Sequence, residues 1–146
     1  MFRDLIWSLH CAGIRVAVTA ADRRANIEPL VRELIGDGVV EVLITGDDVL
    51  RPKPDPEAYY RALSEQGVGA ANDLAFEHSM AGFHTARSAG LATVVVTTDE
   101  IRGHDFTGAA EVLDRYDWPD PLSAARCRRL HERWWINRSR LSAQPA

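Results

Sequence analysis

The apolar positions of this 146-residue chain follow two spacings. Short runs rich in β-branched residues predict buried strands, because branched side chains pack well on a pleated sheet. Stretches with apolar residues three or four positions apart predict helices that bury one face. The predicted strands are 14–19, 39–44, 74–77, 93–97 and a short one at 110–113. The predicted helices are 2–12, 23–35, 56–66, 81–89 and 122–141.

The alternation of these strands and helices predicts an α/β fold. Short connections between them are typical of a parallel sheet with helices on both faces, a Rossmann-like three-layer α/β/α arrangement. We expect Asp22 to cap the helix 23–35, and Asp55 to cap the helix that begins at Pro56. The residues of the helix 23–35 expected to face inward are Ile27, Leu30, Val31 and Leu34.

The chain is expected to divide into an α/β domain, residues 1–118, and a C-terminal helical segment, residues 119–146. From position 120 onwards there are six arginines against two acidic residues. The spacing predicts an amphipathic helix with one apolar face, formed by Cys127, Leu130, Trp134 and Leu141. A tryptophan face beside arginines could dock on nucleic acid or an anionic membrane. Packing on the domain, or on a partner that completes it, is the simpler interpretation.

The composition argues against nucleic-acid-binding, membrane and secreted proteins. The formal net charge of −4 argues against a general nucleic-acid binder. No apolar run approaches the roughly 18 residues of a membrane span, and the first residues lack the layout of a signal peptide. Two cysteines suggest no disulfide framework. We therefore expect a cytoplasmic protein without a membrane partner.

The segment 50–56 contains three prolines in five residues, which predicts a stiff loop outside helices and strands. At its centre is Lys53, the only lysine among seventeen basic residues. A compact ammonium on a flexible stem suits a phosphate group. The alternative is an ordinary connecting loop whose single lysine falls there by chance.

Polar residues follow the predicted strands where each strand ends. The carboxyl ends of parallel strands meet at one edge of the sheet, the usual place for a ligand. A hydroxyl, a lysine and several acids could converge there as a site for phosphate and Mg²⁺, which prefers oxygen ligands. Ordinary polar loops are the alternative. The candidates are Thr19, Asp22, Thr45, Asp47, Asp48, Lys53, Glu77, His78, Ser79, Thr97, Thr98 and Asp99.

Three stretches of the chain resemble the haloacid dehalogenase (HAD)-like hydrolase superfamily, in its β-phosphoglucomutase-like and phosphoglycolate phosphatase-like subgroup. Residues 12–19, a strand ending in Thr, resemble the second motif of that family. Residues 46–56, with Arg-Pro-Lys-Pro-Asp-Pro, resemble the third. Residues 74–91, a strand followed by Glu-His-Ser and a helix ending in Ala-Gly, resemble the fourth. The resemblance covers residues 2–113.

The resemblance implies hydrolysis of a small phosphorylated substrate, or phosphomutase chemistry, through an aspartyl-phosphate. Thr19 would then hydrogen-bond the transferred phosphoryl group, and Lys53 would neutralise its charge. Glu77 would belong to a Mg²⁺ site. His78 stands where the family usually has a metal-binding aspartate, and an imidazole is a poor ligand for Mg²⁺. There is a simpler alternative for each residue. The Thr19 hydroxyl could only bond to nearby backbone at the end of its strand, and Glu77 could be a solvated acid in a loop.

The first motif of the family, Asp-x-Asp-Gly-Thr on the first strand, does not occur in this sequence. A helical cap, which normally selects the substrate, is also missing. The resemblance places the missing strand between the strands 14–19 and 74–77. We expect those two strands either to close on each other or to be bridged by a second copy or a complementing chain.

Three alternatives stay open for the chain as a whole. A phosphohydrolase without its nucleophile would be inactive alone and would work when another polypeptide completes it. A non-catalytic pseudoenzyme would bind a phosphorylated ligand or a protein partner. A truncated product would have no role of its own.

Overall fold

The computed structural model describes residues 2–116 and 120–142. Its helices are α1 (Phe2–Cys11), α2 (Arg24–Leu34), α3 (Glu57–Gln66), α4 (Met80–Ser88) and α5 (Ala124–Ser142). Its strands are β1 (Val16–Thr19), β2 (Val40–Ile44), β3 (Leu74–Glu77), β4 (Ala92–Val96) and β5 (Glu111–Leu113). Each was predicted to within two residues at either end. A short 3₁₀ turn, Ala70–Asn72, was not predicted.

The strands form two parallel sheets rather than one. β1 pairs with β2, and β4 lies between β3 and β5, with every ladder parallel. Within residues 2–116 and 120–142, no ladder joins β1 to β3. The predicted α/β fold with parallel strands is therefore confirmed, and its sheet is divided between β1 and β3.

The larger sheet carries the most deeply buried part of the core. All five residues of β4 are buried. Phe83 of α4 is 1% exposed and packs against Val95 and Ile101, with an edge-to-face contact to Phe106. Burial on both faces explains the continuous apolar run of β4, as expected for a central parallel strand.

The first half of α5 packs on α1, as the amphipathic pattern predicted. Cys127 and Leu130 are buried in the same cluster as Leu5 and Leu9. The prediction for Leu141 is wrong, because its side chain is 73% exposed. The helix extends past the surface that it covers, so its last turn has nothing to pack against.

The amino end of α2 is capped differently from the prediction. The backbone N–H of Arg24 donates to the Asp47 carboxylate at 2.9 Å. Asp22, the expected cap, accepts instead from the N–H of Arg23 and from the Asn26 side chain. The cap therefore comes from the loop after β2, a long-range contact that local sequence cannot indicate.

A cavity of about 860 Å³ separates the two sheets. We call it the central gap. It lies between β1 and β3, and side chains of α1, α2 and α3 also line it. An engineered cavity made by truncating one large core residue measures about 150 Å³, so the central gap is far larger than a packing defect.

The helix α2 shows the effect of the central gap most clearly. None of its residues, all of which are described, is buried. Leu30 and Leu34 are 50% and 52% exposed, and both line the gap together with Ile27 and Val31. These four residues face inward, as predicted, but none of them is buried, because their apolar face lines the central gap.

In the described ranges, no helix is both long and apolar enough to cross a membrane. Cys11 is exposed, Cys127 is buried, and both are free thiols. The expected cytoplasmic location stays a prediction.

Replacing Phe83 by alanine should lower the free energy of unfolding by about 3–5 kcal/mol, because the cavity left in the buried core cannot be filled. Urea denaturation monitored by circular dichroism measures the change. Leu50→Ala is the control, since Leu50 is 89% exposed and its loss should cost less than about 0.5 kcal/mol. Equal effects of the two substitutions would contradict the assigned core.

Candidate phosphate-binding site

The partly buried Lys53 forms an ion pair with the buried Glu77 at the carboxyl end of β3. The ammonium of Lys53 donates to Oε1 of Glu77 at 2.9 Å, and the two side chains are 17% and 6% exposed. The ring of Tyr59 lies beneath the ammonium, 5.5 Å from its nitrogen. The loop 50–56 thus places the only lysine of the chain on the last residue of a buried strand.

Tyr59 of α3 joins the predicted site residues into one network. Its hydroxyl donates to the same Oε1 of Glu77 at 2.6 Å. Burial first, and then the neighbouring Glu77 carboxylate, raise the pKa of Tyr59 well above its ordinary value, whereas a hydrogen bond with Thr19 acts in the opposite direction. The phenol is therefore a neutral donor to Glu77 at physiological pH.

Sequence reasoning missed the polar role of Tyr59. Its position was assigned to the helix 56–66 because of apolar spacing, which treats tyrosine as a core residue. The available signal was its place near the start of the helix that follows Lys53, close to a loop expected to bind phosphate. A buried tyrosine usually finds a partner for its hydroxyl, and here the partner is Glu77.

The loop that carries Lys53 is held by Glu57, the first residue of α3. Its carboxylate accepts from the backbone N–H groups of Leu50 and Arg51, at 3.0 Å and 2.8 Å, and from the Arg61 side chain. The two backbone bonds are the main cause of a pKa lowered to about 2. Asp55 accepts from the N–H of Glu57, so it does help to begin the helix as predicted.

The amino end of α4 fits closely around Glu77. A Cβ atom added to Gly82 would lie 1.8 Å from Oε2 of Glu77, so only glycine leaves room for the carboxylate. Ser79 caps α4 by accepting from the N–H of Gly82 at 3.0 Å. The positive end of the helix dipole therefore faces the Glu77 carboxylate.

The other acids expected at this edge are engaged in holding the fold. Asp48 accepts from the N–H and hydroxyl of Thr45 and from Arg24, all within 2.8 Å. Asp47 caps α2. The hydroxyl of Thr97 donates to Asp114, at the end of the other sheet. These side chains tie loops to helices and do not join the network of Thr19, Lys53 and Glu77.

The residues present do not make a Mg²⁺ site by themselves. Mg²⁺ needs an octahedral set of oxygen ligands, usually with one or two carboxylates. Glu77 is the carboxylate in the network, and its Oε1 already accepts from Lys53 and Tyr59. His78 is exposed. Over the ranges described, no three His, Cys, Asp or Glu residues lie together in a way that could hold a metal ion. The expected Mg²⁺ stays a prediction that requires ligands from elsewhere.

A partly buried lysine thus pairs with a buried carboxylate at the carboxyl end of β3. Residues 2–96 match the family profile of the haloacid dehalogenase-like hydrolases. The chain belongs to this family. The roles of Thr19, Lys53, Glu77 and His78 within it stay predictions.

Relatives of the chain include phosphatases. It is 38% identical to the protein CbbY of Rhodobacter capsulatus over 134 residues, covering 88% of this chain and 56% of CbbY. It is 33% identical to validoxylamine A 7′-phosphate phosphatase of Streptomyces hygroscopicus subsp. limoneus, covering 80% of this chain and 55% of that enzyme. The family membership and these relatives place the chain with HAD-like phosphatases.

The fold likeness extends to solved structures. The crystal structure of CbbY from Rhodobacter sphaeroides in complex with phosphate matches with a TM-score of 0.74 and 34% identity. The match covers 82% of this chain and 54% of that one. The chain therefore spans about half the length of the relatives that it matches.

Replacing Tyr59 by phenylalanine should lower the free energy of unfolding by about 1–3 kcal/mol, because Glu77 loses one of its two donors while it stays buried. Denaturant unfolding measures the loss. Tyr60→Phe is a matched control on the neighbouring residue. Tyr60 is half exposed and its hydroxyl bond to Ser88 is long, at 3.4 Å, so its loss should cost less than about 0.5 kcal/mol. Equal costs would contradict the network.

The Glu57 contacts predict a pH-dependent stability. Its pKa falls from 4.5 to about 2 on folding, so the ionised form stabilises the fold above pH 4.5, and this contribution is lost as the pH falls towards 2. Thermal unfolding of the native chain and of Glu57→Gln should differ most near neutral pH and converge near pH 2. Glu65→Gln, at an exposed position on the same helix, should have little effect at either pH. A constant difference for Glu57→Gln would contradict the assignment.

Proposed function

We propose that this chain contributes the phosphate-binding half of an active site that hydrolyses phosphate monoesters. The observation that supports this most is the ion pair of Lys53 with the buried Glu77 at the end of β3, where the Tyr59 hydroxyl donates to the same carboxylate oxygen. A lysine held this way presents a fixed charge at the usual ligand edge of a parallel α/β fold.

Each member of the network has a role in the proposed reaction. The ammonium of Lys53 has three N–H donors and uses one for Glu77, so the others can bind phosphoryl oxygens. The Thr19 hydroxyl, at the last residue of β1, is proposed to donate to a further phosphoryl oxygen. Glu77 and Tyr59 position Lys53 and keep it from swinging into solvent. Charge on the phosphoryl group is thereby stabilised by groups that need no rearrangement.

The nucleophile comes from outside the described residues. In the proposed reaction a carboxylate oxygen attacks phosphorus and the ester P–O bond breaks, so that the alcohol leaves with a proton. Water then attacks the acyl phosphate, which releases inorganic phosphate and regenerates the carboxylate. Glu77 cannot be the nucleophile, because its Oε1 already accepts hydrogen bonds from two donors and Gly82 packs against its Oε2. We therefore expect the chain alone to be inactive.

A second candidate is a non-catalytic module that binds a phosphorylated ligand. It is favoured by the exposed imidazole at His78, which brings no negative charge to a metal site. Both candidates require Lys53 to bind phosphate, and they differ in whether a completed site turns over. The substrate is a small phosphorylated molecule whose identity depends on a cap that this sequence does not show.

The test mixes the chain with the portion of CbbY from Rhodobacter capsulatus that lies outside the matched region, and measures Mg²⁺-dependent hydrolysis of para-nitrophenyl phosphate. We expect no turnover from either piece alone and turnover from the mixture. Lys53→Ala should lower that turnover by about 10²–10³-fold, as for loss of one preorganised charge-stabilising group. Arg51→Ala is the control, since this arginine is 73% exposed and should change the rate less than about fivefold.

Isothermal titration with inorganic phosphate separates the two candidates. Binding that requires Lys53, without turnover in the mixture, would favour the non-catalytic module. Turnover by the chain alone that Lys53→Ala abolishes would contradict an external nucleophile. If the chain shows no binding of phosphate and the mixture shows no turnover, both candidates are contradicted.

A further inference from the structure

We infer that Tyr59 sets how tightly the site binds phosphate, because its hydroxyl holds the Glu77 carboxylate while Lys53 turns towards the anion. Tyr59 is thus a positioning residue, which acts through Lys53 and does not touch the phosphate itself. The inference rests on the proposed function, since it takes Lys53 as the group that binds phosphate.

One carboxylate oxygen accepts from both donors. The ammonium of Lys53 lies 2.9 Å from Oε1 of Glu77, and the hydroxyl of Tyr59 lies 2.6 Å from the same atom. In the part of the chain that the structure describes, no other group donates to this side chain, and its Oε2 lies against Gly82. The charge of Glu77 is therefore shared between two donors at a single oxygen.

Burial of the carboxylate makes this sharing important. The side chain of Glu77 is 6% exposed, so water cannot readily replace a donor that leaves. A buried charge that loses its last donor meets the full desolvation cost of that group. An anion that drew Lys53 away would meet this cost if Lys53 were the only donor. Because the Tyr59 hydroxyl stays bonded, the ammonium can lengthen its bond to Glu77 at a smaller cost.

Tyr59 is the donor that stays, because its surroundings fix it. It belongs to α3, is 9% exposed, and packs in an apolar cluster with Leu63 and Ala86. Its raised pKa, caused first by burial, means that it keeps the proton that it donates. Lys53, by contrast, lies in the loop before α3 and has a flexible stem. The rigid element thus carries one donor, and the mobile side chain carries the other.

The ring and the hydroxyl of Tyr59 can be separated by experiment. The ring lies 5.5 Å from the ammonium nitrogen of Lys53, within the range of a cation–π contact. Tyr59→Phe keeps this ring and removes only the hydroxyl. In that variant Lys53 becomes the one donor to Glu77 among the residues described, so turning towards phosphate would leave the carboxylate without a partner.

Isothermal titration of the full chain with inorganic phosphate tests the inference. We expect Lys53→Ala to abolish binding, and Tyr59→Phe to weaken it at least about tenfold, as for loss of one hydrogen bond to a charged group. Tyr60→Phe, on the half-exposed neighbouring residue, should change the affinity less than about twofold. Since Lys53 is the only lysine, lysine-selective ¹⁵N labelling gives one side-chain NMR signal that follows the same titration. Circular dichroism verifies that each variant is folded.

A double-mutant cycle distinguishes positioning from a structural role. Glu77→Gln removes the charge that would otherwise be left unpaired, so Tyr59→Phe should then change phosphate affinity less than about threefold. Coupling of this kind is expected only for residues that act through each other. If Tyr59 merely supported the fold, or bonded to phosphate directly, its loss would have the same effect with glutamate or glutamine at position 77.

Equal phosphate affinity of the native chain and Tyr59→Phe, with binding lost in Lys53→Ala, would overturn the inference and leave the proposed function intact. An equal loss in both backgrounds of the cycle would overturn it in the same way. Loss of all binding in Glu77→Gln would also contradict it, since Lys53 would then depend on Glu77 throughout. If the native chain binds no phosphate, or Lys53→Ala binds it equally well, the proposed function itself fails and the inference fails with it.

Discussion

The fold depends on how the facing edges of β1 and β3 are satisfied. Each edge carries backbone groups that need hydrogen-bond partners when water is excluded. The helices α1, α2 and α3 line the gap between those edges, and the apolar face of α2 is directed into it. The gap thus accounts for both the divided sheet and a helix whose apolar face is half exposed.

The same division connects the fold to the candidate site. Lys53, Glu77 and Tyr59 form one hydrogen-bonded group at the carboxyl end of β3. Glu77 lines the central gap there, as Thr19 does at the end of β1. The side chains proposed to bind phosphate are thus held at the edge of the gap. A Mg²⁺ site, by contrast, is not prearranged by the described residues.

Much of this could be predicted from the sequence. Apolar periodicity located the helices and strands, since their burial repeats at fixed spacing, and the motif resemblance located Lys53 beside Glu77. Local patterns could not show that Asp47 caps α2, because the two meet only in the folded chain. They also missed Tyr59, whose apolar spacing concealed a polar contact. The inward face of α2 was predicted correctly, but its exposure was not, because periodicity shows which face is apolar and not whether anything lies against it.

Amide hydrogen exchange of the free chain, resolved by residue, tests the central claim most directly. If the gap is open, the amides of β1 and β3 that do not bond to β2 and β4 should exchange far faster than those of β4, whose five residues are buried. Protection of β1 and β3 equal to that of β4 in the free chain would mean that the two sheets are already joined, and would contradict the account.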